Sequence, residues 1–275
     1  MNYPKSIDIQ TFLDEDIGSG DITALIISAS RTASATVITR DAMVCCGQDW
    51  FNAVFSALDV EIQINWLVNE GQWVAAETVL CTISGLARPL LTGERTALNL
   101  LQTLAATATQ AHHYAKALAG TGCKVLDTRK TIPGLRDAQK YAVACGGCHN
   151  HRIGLYDGIL IKENHIMAAG SIAQAVAEAR KISDKLLEVE VESMEELEQA
   201  LAAKADRIML DNFSVPELQQ AVKKVAGCCE LEASGNILLG NIREIAETGV
   251  DYISIGALTK NIQAVDLSMR IVLED

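Results

Sequence analysis

Leu187-Glu188-Val189-Glu190-Val191-Glu192-Ser193-Met194-Glu195-Glu196-Leu197 holds one structural unit in a short space. Its first five residues alternate apolar and acidic side chains and include two β-branched valines, the signature of a strand. Ser193 with Glu196 three residues on has capping-box spacing and opens a helix, along which Leu197, Leu201 and Ala205 recur on one face. The same strand-then-helix order repeats on both sides. Its strand runs are Val125-Leu126-Asp127, Gly158-Ile159-Leu160-Ile161-Lys162, Ile208-Met209-Leu210-Asp211, Leu231-Glu232-Ala233-Ser234 and Tyr252-Ile253-Ser254-Ile255-Gly256. Polar positions at or near the run ends, 162, 190, 211, 232 and 256, stand 28, 21, 21 and 24 apart, the length of a compact βα unit with short loops. Ser214-Val215-Pro216-Glu217 and Asn241-Ile242-Arg243-Glu244 repeat the capping signal, and Leu218, Val222 and Val225 form a further apolar stripe.

Alternating βα units make a mostly parallel sheet covered by helices. An open doubly wound sheet would carry a G-x-G-x-x-G loop after an early strand, and the chain has none. Polar residues instead end nearly every strand, as a barrel with one reactive rim requires. Residues 31–85 read differently. Ala35-Thr36-Val37-Ile38-Thr39 and Val79-Leu80-Cys81-Thr82-Ile83 predict strands, Trp50 to Leu58 a helix, and Asn69-Glu70-Gly71 a turn, together a separate α+β layer. Gly93 to Ala119 predicts one or two long helices, with Leu98, Leu101, Leu104 and Ala108 on one stripe, joining the two parts.

The 275 residues are 49% apolar, 21% charged and 4% aromatic, enough for a large core and too apolar for a disordered tail. The net charge of −12 argues against nucleic acid as a partner. Met1 to Asp16 has no basic cluster followed by an apolar run, and no uninterrupted apolar stretch is of membrane-spanning length. Eight cysteines that include two vicinal pairs, without an export signal, point to a reducing cytoplasm rather than to disulfides.

Charge is concentrated. Residues 124–165 hold seven Lys and Arg against four Asp and Glu, with three of the five histidines, His149, His151 and His165. A cationic focus in an acidic chain suits an enzyme for a small polyanion, although a solvated basic face would give the same count. Arg129-Lys130 follow one strand and Lys162 ends the next, so a barrel would bring all three to its rim. Arg129 and Arg152 present forks suited to carboxylates, whereas Lys162 could also serve as the Schiff-base lysine of an aldolase. Glu188, Glu190 and Glu192 share one face by the period of two, and Asp211 ends the next strand. Such carboxylates need a cation, either Mg²⁺ or a lysine network. Ser234-Gly235-Asn236 and Gly256-Ala257-Leu258-Thr259 end the last repeats with small residues that leave backbone N–H groups open to a phosphate. Cys145-Gly146-Gly147-Cys148-His149 matches the haem-attachment spacing, and His151 adds a conceivable zinc ligand. Buried structural thiols are the simpler reading.

Taken together, these motifs resemble the nicotinate-nucleotide pyrophosphorylase (carboxylating), or quinolinate phosphoribosyltransferase, family nearly end to end. The likeness is carried by residues 15–23, Gly93-Glu94-Arg95-Thr96-Ala97-Leu98-Asn99, Asp127-Thr128-Arg129-Lys130, Asn150-His151-Arg152, Leu160-Ile161-Lys162-Glu163-Asn164-His165, Leu210-Asp211-Asn212, Glu232-Ala233-Ser234-Gly235 and Gly256-Ala257-Leu258-Thr259. The resemblance implies an N-terminal α/β sandwich over residues 1–110, with the tail 262–275 packing back on it. An open, irregular α/β barrel, similar to a TIM barrel, would follow over 111–261.

It also implies a cytoplasmic homodimer that converts quinolinate and 5-phosphoribosyl 1-pyrophosphate to nicotinate mononucleotide, pyrophosphate and CO₂ for NAD synthesis. Mg²⁺ would be needed and no organic cofactor. The family's catalytic residues match Lys130, Lys162, Glu190 and Asp211, of which Glu190 and Asp211 serve the metal. Its substrate-binding residues match Thr128, Arg129, Lys130, His151, Arg152 and Lys162, with Ser234, Gly235 and Gly256 cradling the 5-phosphate and Arg95 arriving from the partner subunit. Many relatives continue the last motif with Thr-His-Ser, where this chain has Thr259-Lys260-Asn261. A paralogue found with molybdate-transport genes is the alternative within the family, and a Schiff-base aldolase using Lys162 the alternative outside it.

Overall fold

The computed structural model describes residues 8–274, so the start of the Met1–Asp16 stretch and the last residue of the 262–275 tail lie outside the described residues. In chain order the first elements are α1 (Gln10–Ile17), β1 (Thr32–Thr39), β2 (Met43–Val44), α2 (Gln48–Leu58), β3 (Gln63–Trp66), β4 (Trp73–Val74), β5 (Val79–Leu86) and α3 (Ala87–Ala117). Then follow β6 (Lys124–Leu126), α4 (Arg136–Cys145), β7 (Ile159–Ile161), α5 (Glu163–Ala169), α6 (Ile172–Ile182), β8 (Leu187–Val191), α7 (Met194–Ala202), β9 (Arg207–Asp211) and α8 (Val215–Val225). The chain finishes with β10 (Glu230–Ser234), α9 (Ile242–Ala246), β11 (Tyr252–Ser254), α10 (Ala257–Lys260) and β12 (Leu267–Leu273).

Two compact units result. The first holds the described residues up to Ala111, together with Asp137–Gly146 and the chain from Ile262 on; the second holds His112–Arg136 and Gly147–Asn261. Residues 137–146, which chain order alone would give to the barrel, therefore belong with the N-terminal layer.

In the first unit an antiparallel sheet has the order β12-β1-β5-β3. β1 alternates between buried and half-buried residues, as a strand with one covered face must. β12 returns from the far end of the sequence to pair with it, from Ala33 opposite Leu273 to Thr39 opposite Leu267. The stripe of α3 is buried as its spacing predicts, with Leu98 at 1% exposure and Leu101, Leu104 and Ala108 at 0%. Each such leucine contributes on the order of 1.5–3 kcal/mol of burial free energy. In the same unit Tyr141 of α4 donates from its hydroxyl to Glu70 Oε1 at 3.1 Å, and its ring lies 5.3 Å from that of Trp50. Gly146 passes so close to α3 that a Cβ there would overlap the Ala108 carbonyl oxygen and come within 2.7 Å of Ala111 Cβ.

The second unit is a parallel sheet in the order β6-β11-β10-β9-β8-β7. Its terminal strands β6 and β7 are not paired with each other among the described residues, which makes the barrel open. Both faces of β8 are covered: Leu187, Glu188, Val189 and Val191 are all at 0% exposure. Ser193 caps α7 by accepting from Glu196 N at 3.2 Å, and Glu217 accepts from Ser214 N at 2.8 Å to close the box on α8. The third expected cap is different. Asn241 Oδ1 turns back to accept from Leu238 N at 2.7 Å, and α9 is a single short turn of helix. An Asn side chain offered a local backbone donor prefers that loop bond to the cap. On α8 the buried face is Leu218, Ala221 and Val225, with Val222 at its edge.

Candidate functional site

The polar strand ends of the second unit meet in one cavity of about 430 Å³. It is lined by Thr128, Arg129 and Lys130 after β6, His151 and Arg152 before β7, Leu160 and Lys162 at β7, Glu190 of β8, Met209 and Asp211 of β9, Glu232 and Ser234 of β10, and Ser254 of β11. The expected site residues Thr128, Arg129, Lys130, His151, Arg152, Lys162, Glu190, Asp211 and Ser234 are thus brought together. Gly256 abuts the same cavity, since a Cβ there would lie 3.2 Å from Lys130 Cδ. Gly235 lines a second hollow with Asn212 and Asn236; a Cβ on it would overlap Asn212 Oδ1 and sit 2.9 Å from Asn212 N. Arg95 is exposed on α3 in the first unit and is not among the cavity's lining residues.

Loops on this rim are held by carboxylates. Asp127, fully buried after β6, accepts from His151 N at 2.9 Å and from Asn150 Nδ2 at 2.6 Å. Asp157 accepts from Ile153 N at 2.7 Å and Gly154 N at 2.9 Å, while Arg152 Nη1 donates to Gly158 O at 3.1 Å. On the other side, Thr259 donates from its hydroxyl to Lys130 O at 2.8 Å, fixing the backbone from which Lys130 reaches over Gly256. Lys162 is ion-paired with Glu190, and Asp211 Oδ2 accepts from Asn212 Nδ2 at 2.8 Å.

Arg152 is pulled below its usual pKa by burial first and by the Arg129 charge second, against the attraction of Glu188 and Asp157. A bound dianion would relieve that repulsion. At the floor, His151 Nε2 stands 2.8 Å from Glu188 Oε2 and 3.6 Å from Glu232 Oε2. Burial raises Glu188 to about 7, against the pull of Arg207. Burial, and then the Glu188 charge, raise Glu232 to about 8. Glu188 Oε1 and both Glu232 oxygens have no hydrogen-bond partner among the described residues.

Sequence reasoning marked Glu232 only as a polar position near a strand end, and missed Leu160, Met209 and Ser254 as lining residues. Each lies two positions before a strand-end residue already chosen: Ser234, Lys162, Asp211 and Gly256. The strand period of two, applied one step inward, would have found them. Among the described residues no three-ligand cluster holds both cysteines of the Cys-x-x-Cys-His run or its His149. Cys145 lies with Cys46 and Glu70 in the first unit, while Cys148 is buried in the second with its thiol raised to about 12 by burial.

Family models match over both parts of the chain: the quinolinate phosphoribosyl transferase N-terminal domain over residues 21–105, and its C-terminal domain over residues 107–270. The chain belongs to the quinolinate phosphoribosyltransferase family. Among curated relatives, the nicotinate-nucleotide pyrophosphorylase [carboxylating] of Mycobacterium leprae is 39% identical over 272 residues, covering 95% of each chain. The quinolinate phosphoribosyltransferase [decarboxylating] 2, mitochondrial, of Nicotiana glauca is 35% identical over 288 residues, covering 97% of this chain and 82% of the relative. Among solved structures, the nicotinate-nucleotide pyrophosphorylase of Francisella tularensis superposes with a TM-score of 0.94 at 48% identity, covering 99% of this chain and 100% of that one. Sandwich and open TIM-like barrel are therefore the family's fold, and the cavity at the barrel's strand ends is where its chemistry is to be sought.

Proposed function

We propose that the chain transfers the phosphoribosyl group of 5-phosphoribosyl 1-pyrophosphate to the ring nitrogen of quinolinate, forming nicotinate mononucleotide, pyrophosphate and CO₂ in NAD biosynthesis. The observation that carries this reading is the single cavity in which Arg129, Lys130, Arg152 and Lys162 stand with Glu190 and Asp211. The two guanidinium forks match the two carboxylates of a pyridine diacid. Lys130 and Lys162 bring positive charge to the donor's phosphates, and Thr128, Ser234 and Gly256 supply small or hydroxyl-bearing positions for the 5-phosphate.

Glu190 and Asp211 end adjacent strands and offer oxygen donors to the same cavity, a set that fits Mg²⁺ with room left for substrate phosphates. Bound there, the ion would supply countercharge to the departing pyrophosphate. The protein's own part is to orient. As the C1–pyrophosphate bond breaks, the ribosyl centre becomes oxocarbenium-like, and the diacid held by Arg129 and Arg152 presents its nitrogen to it. The new C–N bond makes the ring a pyridinium. That cation takes the electron pair released when the C2 carboxylate leaves as CO₂, after which C2 accepts a proton, and no organic cofactor is required. The family relation, rather than Lys162 alone, speaks against the aldolase alternative, since the matching relatives are phosphoribosyltransferases.

We further propose a homodimer in which Arg95 reaches the partner subunit's site, in keeping with its exposure and its place outside the lining of this chain's own cavity. The eight free thiols fit a reducing cytoplasm, and no helix among the described residues is long and apolar enough to cross a membrane. The test is consumption of quinolinate with CO₂ release only when both the phosphoribosyl donor and Mg²⁺ are present. Folded protein that leaves quinolinate untouched under those conditions rejects the reading. Mixing Arg95→Ala with Lys162→Ala protein should restore part of the activity through hybrid dimers, and no recovery despite proven subunit exchange would reject the shared site.

A further inference from the structure

His151 is held at both ring nitrogens. Its Nδ1 accepts the backbone N–H of Arg152 at 2.8 Å, and its Nε2 faces Glu188 Oε2 at 2.8 Å. An imidazole whose Nδ1 accepts must carry any single proton on Nε2, so Nε2–H donates to the Glu188 carboxylate. Glu188 is fixed on the strand next to the sheet's β7 edge and is fully buried, and Glu232 on the next strand but one stands 3.6 Å from the same nitrogen. The backbone of His151 is pinned separately, by its N–H to Asp127. The imidazole is thus a strut. It ties the buried acids of β8 and β10 to the main chain of Arg152, the residue whose guanidinium lines the cavity.

We propose that Glu188, with Glu232 beside it, is a positioning residue of the reaction, acting through His151 to fix the place of Arg152 and so the affinity for the pyridine diacid. This rests on the phosphoribosyl-transfer reading of the cavity. Two features separate such a role from simple support of the fold. Glu188 lies beneath the cavity rather than in its lining, so any effect it has on the diacid must travel through another group. Removing one partner from a buried charge cluster can itself weaken the fold, so Glu188→Gln, which keeps an acceptor oxygen in a side chain of the same shape, separates positioning from support.

The test is a double-mutant cycle on quinolinate binding, measured by calorimetry, and on the KM for each substrate. Glu188→Leu removes the acceptor. It should weaken quinolinate binding and raise its KM by about tenfold or more, with the KM for the phosphoribosyl donor within about threefold of wild type. Glu188→Gln keeps an acceptor oxygen for Nε2–H and should restore most of that loss. In a His151→Ala background, Glu188→Leu should add almost nothing, because the strut is already gone. Independent, multiplying effects of the two changes would overturn the inference, as would equal losses for both substrates. If Glu188→Leu fails to fold, the same cycle run with Glu188→Met, which removes the acceptor oxygens in an unbranched side chain of similar length, gives the same two outcomes. Failure of the functional reading would look different: wild-type protein itself would not bind quinolinate.

Discussion

Replacing Asp127 by alanine should loosen the segment that carries His151 and Arg152 without touching either side chain. The carboxylate is at 0% exposure and receives the His151 amide at 2.9 Å and the Asn150 side-chain amide at 2.6 Å. Hydrogen bonds to a charged group contribute about 1.5–3 kcal/mol each, giving roughly 3–6 kcal/mol for the two. Removing a buried charge returns part of its desolvation cost, so a net local loss of about 3 kcal/mol is expected. Asp127→Asn should cost far less. Its oxygen can still accept from His151 N, and Asn150 can turn its amide over to meet the new NH₂ group, which leaves only the charge-assisted part, about 1 kcal/mol. Amide hydrogen exchange at His151 reads this directly, since each tenfold loss of protection is about 1.4 kcal/mol of opening free energy. The alanine variant should exchange about a hundredfold faster than wild type, and the asparagine variant less than about tenfold faster. Equal exchange in the two variants, or an alanine effect below tenfold, would refute the view that this carboxylate holds the rim.

Three further outcomes follow from the same geometry. Arg129→Ala should lower kcat/KM by about 2–4 kcal/mol of transition-state stabilisation, and unchanged kinetics would remove Arg129 from the site. Glu232, raised to about 8 from an ordinary 4.5, is favoured in its protonated form by the folded state. Its stabilising effect is therefore complete below about 4.5 and lost as pH rises through about 8. Glu232→Gln should accordingly resist urea better than wild type at pH 9, with the gap closing towards pH 5, and a gap that widens towards pH 5 would contradict the assignment. Gly146→Ala, forced against the Ala108 carbonyl, should cost on the order of 1–3 kcal/mol by overpacking, measured by thermal denaturation; an unchanged Tm would show that this contact relaxes freely.

Much of the barrel was legible because its strands obey simple rules. A run such as Leu187–Val191 between two amphipathic helices has both faces covered, and polar residues can survive there only at the rim or in paired positions below it. The rim residues were found by that logic. The layer beneath them was not, because Leu160 and Met209 look like ordinary strand interior until the period of two is carried inward from Lys162 and Asp211. Residues 137–146 were misplaced for another reason. Tyr141 and Gly146 reveal their setting only through Glu70, Trp50 and α3, contacts distant in sequence that no local pattern records. The cap at Asn241 failed because its side chain found a nearer donor at Leu238. Asn212 and Asn236, both with positive φ, shape the hollow beside the cavity, and Asn in such turns is too common to single out from sequence.

The most direct measurement of the central claim is a crystal structure of the protein soaked with quinolinate. Density for the diacid should lie in the cavity at the barrel's strand ends, its carboxylates within hydrogen-bond distance of Arg129 and Arg152 and its ring nitrogen open towards the side lined by Lys162, Glu190 and Asp211. Quinolinate bound elsewhere in a catalytically active crystal, with that cavity filled only by solvent, would contradict the account.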